Sequence, residues 1–276
     1  PGGFAPADAV SAVWNVINWQ LIFLPDGALF RLIHPLTHFW SLAVEAQLYV
    51  VLAVVCVAAG SRPLRRTLLV AATTGWVLSA LIAIIVHGSV RREEFGTDIR
   101  LAEFAAGVLL AVLLPHLRDL LRGRAPVADA LGVLATGAFV VVVLTAGRSD
   151  RWLETGGYAL LSLVWVAWLL AALEGRWLPR LLALRPLVLI GTISYSLYLV
   201  HWPIVLLLTD ARLGRSGWGA IAIRAVVSVA AGAALHLAVE RPARRAVAAR
   251  PTRQAVLGWL GAASATSVLA IVLLRG

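Results

Sequence analysis

Residues 38–49 read HFWSLAVEAQLY, and they open an apolar run that continues as VVLAVVCVAAG to Gly60. A helix from His38 to Gly60 would rise about 34 Å, which is close to the thickness of a hydrocarbon core. Glu45 would then lie about 10 Å inside the end of that helix. A carboxylate at such a depth is costly unless it is paired, so Glu45 is a candidate functional residue.

Several polar side chains of this stretch are expected on one face of the helix. Ser41, Glu45 and Tyr49 are spaced four residues apart, and His38 precedes Glu45 by two turns. Trp40 lies at the same mouth of the segment. The alternative interpretation is that Glu45 is a structural polar group satisfied by neighbouring membrane helices.

The composition restricts the chain to one class of protein. Of its 276 residues, 61% are hydrophobic, and the mean hydropathy of +0.88 lies far beyond that of a soluble globular domain. We therefore predict an all-α fold, a polytopic transmembrane helix bundle with about eight spans in a lipid bilayer. The single cysteine, Cys56, supplies neither a disulfide framework nor a metal cluster. The sequence predicts no metal site and no bound cofactor.

The net charge of +10 arises entirely from arginine, since the chain has no lysine. In a soluble protein such a charge would suggest a nucleic-acid partner. Here the arginines cluster in short loops between apolar segments, which is typical of topology determinants, so no nucleic-acid partner is predicted. The positive-inside rule places the arginine-rich loops 61–66, 118–126, 174–185 and 241–253 in the cytoplasm.

This topology divides the chain into two parts. Residues 1–37 are predicted to form an extracytoplasmic loop with a short interfacial helix around Asp8–Leu24, and residues 38–276 the transmembrane part. Spans are predicted at 38–60, 67–87, 98–117, 127–146, 157–174, 186–208, 219–240 and 255–274. We expect a multi-pass plasma-membrane protein with residues 1 and 276 both extracytoplasmic. Because the chain has no methionine, we expect it to be a fragment or processed form.

Polar motifs recur in three later spans. Asp98 and Arg100 open the third span, with Glu103 close behind, and this group is expected to form an ion-pair network or a helix cap. The sixth span contains IGTISYSLYLVHWPI at 190–204, in which Ser194, Tyr198 and His201 share a face. The seventh span carries Arg224 near its outer end and finishes with Glu240-Arg241-Pro242, where Glu240 is interpreted as an anchor or cap.

These motifs resemble the signatures of the acyltransferase-3 family, integral membrane enzymes that O-acylate sugars and other envelope or secreted molecules. HFWSLAVEAQLY is similar to FWSLSVEEQFY, with departures at Ala46, where the family often has a second Glu, and at Leu48, where it has an aromatic residue. Residues 97–100 resemble a TDxR element, 190–204 a G-x-x-SYSLYLxHxP element, and 240–242 an E-x-P ending.

The resemblance implies an acyltransferase with a cytoplasmic acyl-CoA, often acetyl-CoA, as donor substrate. The implied acceptor is a hydroxyl of an envelope polysaccharide, a glycolipid or a similar molecule. Three earlier helices are also implied, carrying the histidine base and an Arg-x-x-Arg element, so we expect this chain alone to be inactive. An eleventh span leading outside would resemble the subgroup that carries an extracytoplasmic SGNH domain downstream.

By the same resemblance, the catalytic candidates are Glu45, His201 and Arg100. Glu45 would orient or charge-balance the histidine base, and His201 would position the acceptor or donate a hydrogen bond. Arg100 would offset negative charge. The candidates for substrate binding are His38, Trp40, Ser41, Tyr49, Asp98, Ser194, Tyr198 and Arg224.

Two other classes of function are considered. A transporter or flippase of a lipid or glycan would also place charges inside the membrane, but its sequence would be expected to show two related halves. Neither the first-span motif nor the sixth-span motif is repeated elsewhere in the chain. A non-catalytic scaffold would explain polar residues by packing alone, yet it would not predict three family motifs in order.

Overall fold

In the computed structural model, the regular elements of the described residues are all helical, which confirms the predicted all-α fold. The structure describes residues 6–25, 35–86, 89–147, 150, 152–248 and 254. Within them, seven helical segments are long and apolar enough to cross a membrane: Thr37–Ala59, Leu64–Ile85, Val90–Leu121, Ala125–Thr145, Thr155–Glu174, Arg185–Leu207 and Gly217–Ala248. The predicted eighth span, 255–274, lies outside the described residues.

The helices are numbered in chain order. They are α1 (Pro6–Val13), α2 (Ile17–Ile22), α3 (Trp40–Ala59), α4 (Leu64–Ile85), α5 (Val90–Phe95), α6 (Thr97–Leu121), α7 (Ala125–Thr145), α8 (Tyr158–Glu174), α9 (Trp177–Leu182), α10 (Arg185–Leu207), α11 (Asp210–Leu213), α12 (Gly217–Leu235) and α13 (Arg241–Ala248). A 3₁₀ turn, Thr37–Phe39, leads into α3, and a π turn, His236–Glu240, precedes α13. The segment Leu153–Gly157 before α8 is kinked, with a positive φ of 102° at Gly156.

The apolar residues of these helices do not form the single stripe of a helix on a water-soluble domain. Large aliphatic side chains remain exposed along the spans, among them Val57, Ile85 and Leu144. Small residues occupy much of the protein interior instead, including Ala102, Ala128 and Ala220. This inversion is expected where lipid is the solvent, because helices in a bilayer associate through close packing of small residues.

The chain divides into two compact units, and the division falls within α3. Unit 1 comprises the described parts of Pro1–Ala43 and Arg185–Gly276, and unit 2 comprises Val44–Leu184. In unit 1 the main packing is between α10 and α12. A Cβ atom at Gly232 of α12 would approach Leu197 Cα of α10 to 2.9 Å, so the two backbones lie closer there than a side chain would allow.

In unit 2 the main packing pairs are α4 with α6, α7 with α8, and α6 with α8. The buried Ser79 of α4 donates to the carbonyl of Ile99 at 2.6 Å and accepts from the amide of Ala102 at 3.0 Å. Trp76 of α4 donates from its ring nitrogen to Ser162 Oγ of α8 at 3.0 Å. Such bonds between helices hold polar groups that lipid cannot satisfy.

Several predicted boundaries were wrong for local reasons. The single interfacial helix around Asp8–Leu24 is two short helices, because Asn15 adopts a positive φ of 55° between them. The third span was predicted at 98–117, but α6 continues through Pro115 to Leu121. The seventh span does not end at residue 240, since a π turn carries the helix on into α13.

Candidate functional site

The side chain of His38 forms the centre of a buried polar group in unit 1. It lies in the turn Thr37–Phe39 and is 8% exposed. The carbonyls of Pro35, Tyr198 and Leu199 lie near its ring. Both ring nitrogens are buried, and within the described part of the chain neither meets the geometry of a hydrogen bond. A buried imidazole in this condition is available to a further polar partner.

Helix α10 brings Tyr198 and His201 against this histidine. The ring centroids of His38 and His201 are 5.4 Å apart with an edge-on orientation, and those of His38 and Tyr198 are 5.2 Å apart. Tyr198 and His201 are themselves 5.4 Å apart. Tyr198 and His201 therefore lie on one face of α10, as predicted, and this face packs against His38 at the start of the first span.

The Tyr198 hydroxyl links α10 to the start of the first span by hydrogen bonds. It donates a hydrogen bond to the carbonyl of His38 and lies 2.6 Å from Ser41 Oγ. Because a phenol has a single proton, Ser41 must be the donor in the second bond. We call His38, Ser41, Tyr198 and His201 the histidine cluster.

The hydrogen bonding of His201 determines which of its nitrogens can act. Its Nδ1 lies 2.6 Å from the carbonyl of Tyr198, one turn earlier in α10. A carbonyl only accepts, so the proton of the neutral ring resides on Nδ1. The lone pair is then on Nε2, which is the arrangement required of a proton acceptor.

An apolar groove of about 670 Å³ runs between α10 and α12 beside the histidine cluster. Its polar lining residues are Ser194, Tyr198 and His201 from α10, with Arg224 and Ser228 from α12. The remaining lining is aliphatic. Three of the predicted site residues on α10 and Arg224 thus line one groove, as their spacing suggested.

The charge of Arg224 is already paired in this arrangement. Its guanidinium donates from Nε to the carbonyl of Leu208 at 2.7 Å and forms an ion pair with Asp210 at the start of α11. The positive charge of Arg224 is therefore largely balanced by this carboxylate before any substrate binds. Asp210 was missed from the sequence, because a loop aspartate ahead of a short helix is usually only a cap.

In unit 2, Arg100 belongs to a second polar group. Its Nη1 pairs with Glu103 Oε1 at 2.7 Å, and its Nε donates to the carbonyl of Glu94 at 3.0 Å. The guanidinium carbon lies 4.2 Å from the centre of the Tyr158 ring, a cation–π contact. A cavity of about 370 Å³ is lined by Arg100, Glu103, Tyr158 and Trp165, among others.

The predicted network of Asp98 with Arg100 was wrong. Asp98 instead pairs with Arg92 of α5 at 2.6 Å, because the break at Gly96 turns α5 back toward the first turn of α6. The predicted cap was also wrong, since Gly96 is the residue that caps α6 and no side chain takes part. Thr97 donates to Gln47 of α3 at 2.6 Å instead.

The remaining candidates lie on α3. Trp40 is half-buried at the first residue of the helix. Glu45 is exposed, and the Tyr49 hydroxyl donates to its carboxylate. The Tyr49 ring also packs edge-on against Phe104 at 5.7 Å.

A buried group that the sequence did not single out lies farther along unit 1. Ser196 of α10 donates to Glu240 Oε2 at 2.6 Å, and His236 Nδ1 lies 3.0 Å from the same oxygen. Glu240 is 8% exposed, so its carboxylate is buried beside these partners. The E-x-P motif marked its position, and the structure shows that Glu240 ends the π turn His236–Glu240 as a buried residue.

Comparison with known proteins gives consistent matches. The model of the acyltransferase-3 family, described as an acyltransferase domain, matches residues 6–237. The chain is 30% identical over 206 residues to the O-acetyltransferase OatA of Staphylococcus aureus (strain NCTC 8325 / PS 47), covering 72% of this chain and 34% of the relative. It is 30% identical over 251 residues to the putative peptidoglycan O-acetyltransferase YrhL of Bacillus subtilis (strain 168), covering 86% and 39%.

A third relative, the putative O-acetyltransferase SACOL0978 of Staphylococcus aureus (strain COL), is 29% identical over 210 residues, covering 72% of this chain and 34% of the relative. The chain therefore spans about a third of the length of these curated relatives. No solved structure matches it significantly.

Proposed function

The chain belongs to the acyltransferase-3 family, and from that premise we propose that it is the membrane part of an O-acyltransferase acting on the cell envelope. The donor is an acyl-CoA, in the first instance acetyl-CoA, and the acceptor is a hydroxyl of an envelope polysaccharide or glycolipid. The observation that carries the proposal is the histidine cluster, which lies beside an open groove inside a membrane-spanning unit.

Acyl transfer requires two kinds of catalytic group from the protein. A base must take the proton of the acceptor hydroxyl, and a donor must stabilise the developing oxyanion. Besides the histidine that the resemblance implies on an earlier helix, His201 fits the first, because its Nδ1 is occupied by the Tyr198 carbonyl and its Nε2 is left to accept. The hydroxyl oxygen then bonds to the thioester carbonyl carbon, the carbon–sulfur bond breaks, and the departing thiolate takes up the proton.

The other members of the cluster support the same reaction. Tyr198 and Ser41 fix the backbone of His38 through their chain of hydrogen bonds. The His38 imidazole, whose nitrogens are buried, packs against the His201 ring and so helps to hold that ring in place. Arg100 of unit 2, which Glu103 and the Tyr158 ring hold in place, is a separate candidate, and from the family resemblance we propose that it offsets negative charge.

The class of acceptor is suggested by the relatives. Their names describe O-acetyltransferases, and one is named for peptidoglycan. The arginine-rich loops support an orientation in which the donor approaches from the cytoplasm and the acceptor from outside, across the plasma membrane. In that orientation the His201 end of α10 lies in the outer half of the membrane, where an envelope acceptor would meet it.

A substitution at His201 tests the proposal. In the full-length enzyme, His201→Gln retains a hydrogen-bonding side chain but cannot accept a proton, so the transfer of label from radioactive acetyl-CoA into envelope polymer should fall about 10²- to 10⁴-fold. His116→Gln, at an exposed histidine of α6, is the matched control and should transfer at the wild-type rate. A near-normal rate for His201→Gln at equal membrane abundance would reject a base at this position.

A further inference from the structure

The buried group around Glu240 lies within unit 1, on the same helices as the histidine cluster. Glu240 receives Ser196 and His236 on one carboxylate oxygen, and Arg244 Nη2 lies 2.8 Å from the other. Ser196 is completely buried. A buried carboxylate is costly unless its partners are well placed. The loss of any one partner should therefore disturb the positions of the others.

The position of Ser196 on α10 connects this group to the cluster. Ser196 precedes Tyr198 by two residues, which is about 3 Å along the helix and about 200° around it. The Ser196 bond therefore holds the side of α10 roughly opposite the face that carries Tyr198 and His201. A helix that is bonded on one side can neither rotate nor slide freely on the other.

We propose that Glu240, acting through Ser196, is a positioning residue that fixes the rotation of α10 and so places Tyr198 and His201 against His38. Glu240 is the last residue of the π turn His236–Glu240, and its buried carboxylate accepts from Ser196 of α10. The catalytic consequence rests on the proposed function, whereas the placement of α10 is a property of the fold.

Chemical labelling of His38 reports the placement directly. The rings of Tyr198 and His201 cover His38 in the native arrangement, so diethylpyrocarbonate should modify it slowly. The exposed His116 provides an internal reference on the same molecule. The ratio of His38 to His116 modification, measured by mass spectrometry of the full-length protein in membranes, is independent of any enzymatic activity.

Four single variants and the double variant Ser196→Ala/Glu240→Ala separate the contributions. Ser196→Ala removes the donor and Glu240→Ala removes the acceptor, whereas Glu240→Gln keeps an oxygen that can still accept from Ser196. Glu174→Ala is the matched control, because Glu174 forms a comparable ion pair with Arg118 at the end of α8.

We expect Ser196→Ala and Glu240→Ala each to raise the labelling ratio about tenfold, the value of one hydrogen bond to a charged group. The double variant should exceed neither single variant, and Glu240→Gln should stay close to wild type. In the acylation assay kcat should fall by about the same factor while KM is unchanged. Glu174→Ala should alter neither readout.

An unchanged labelling ratio in Ser196→Ala would overturn the proposal, and so would additive effects in the double variant. If Glu240→Ala does not accumulate in the membrane, Ser196→Ala and Glu240→Gln decide the question between them. If the wild-type enzyme transfers no acyl group, the proposed function fails, and the labelling ratio still decides the role of Glu240.

Discussion

The histidine cluster depends on individual hydrogen bonds rather than on the general apolar packing around it. Tyr198 uses its single proton for the His38 carbonyl and accepts from Ser41. His201 uses its Nδ1 proton for the Tyr198 carbonyl. The protons of Ser41, Tyr198 and His201 Nδ1 are thus each used in one hydrogen bond, and this arrangement leaves the Nε2 atom of His201 for a substrate.

Glu45 is the residue whose function can be tested most cleanly. Its side chain is exposed, so packing within unit 2 does not depend on it, and Tyr49 is a hydrogen-bond partner that an amide could also satisfy. We predict that Glu45→Gln in the full-length enzyme lowers acceptor acylation by about 10²- to 10⁴-fold, because the charge that by resemblance balances the histidine base of an earlier helix is lost. Membrane abundance should remain at the wild-type level.

The measurement for Glu45 is acylation per unit of membrane-inserted protein. Tyr49→Phe, which removes only the hydroxyl that donates to Glu45, serves as the control for the loss of that bond. If Glu45 only joins helices, the amide should serve nearly as well, since such bonds are worth about 0.6 kcal/mol on average. Equal rates for Glu45→Gln and wild type would show that the charge of Glu45 takes no part in acyl transfer.

Sequence motifs located most of the polar residues but not all of their partners. The spacing of Ser194, Tyr198 and His201 predicted one face, and the groove confirms it. The pairing of Asp98 was mispredicted because an ion pair depends on the path of the backbone at Gly96, which spacing along one helix does not describe. Asp210 and Ser196 carry no local signal, since their partners are more than ten residues away.

Among the helices, hydropathy is a reliable guide to the spans and a poor one to their ends. The predicted span 38–60 is observed at Thr37–Ala59, and 186–208 at Arg185–Leu207. The helix α9 was missed because it is short and lies in an arginine-rich loop. The extension into α13 was missed because Pro242 normally ends a helix, whereas here it follows a π turn in the first turn of a new helix.

The close packing of α10 against α12 predicts that a larger residue at Gly232 lowers the stability of unit 1. A methyl group there would lie 2.9 Å from Leu197 Cα and 3.1 Å from its nitrogen, and backbone atoms cannot move aside. Gly232→Ala should therefore destabilise unit 1 by about 1–3 kcal/mol, the usual cost of overpacking. Thermal unfolding in detergent, followed by tryptophan fluorescence, should show a lower midpoint.

Gly219 on the same helix provides the control. A Cβ atom there meets nothing within 4 Å, so Gly219→Ala should be neutral or stabilising by up to about 1 kcal/mol through helix propensity. Equal midpoints for the two variants would show that the close approach at Gly232 does not limit the packing of α10 against α12.

At the scale of the whole molecule, composition and hydropathy were enough to predict a multi-pass membrane protein, because seven described segments are apolar over their full length. The motif order was enough to predict the family. Neither the composition nor the motif order describes the complete enzyme, since the chain spans about a third of the length of its curated relatives. The side of the membrane on which each loop lies is likewise a prediction from arginine content.

That topology can be tested with two cysteine substitutions in a Cys56→Ala background, which removes the single native thiol. Ser61 and Ser89 are both exposed, and α4 is the span between them, so they must lie on opposite sides if α4 crosses the bilayer. Ser61 belongs to the arginine-rich loop 61–66, and the positive-inside rule places that loop in the cytoplasm. In intact cells a membrane-impermeant maleimide should therefore label Ser89→Cys but not Ser61→Cys, and permeabilisation should make both reactive. Labelling of Ser61→Cys alone in intact cells would invert the topology, and the His201 end of α10 would then face the cytoplasm, where an envelope acceptor could not reach it.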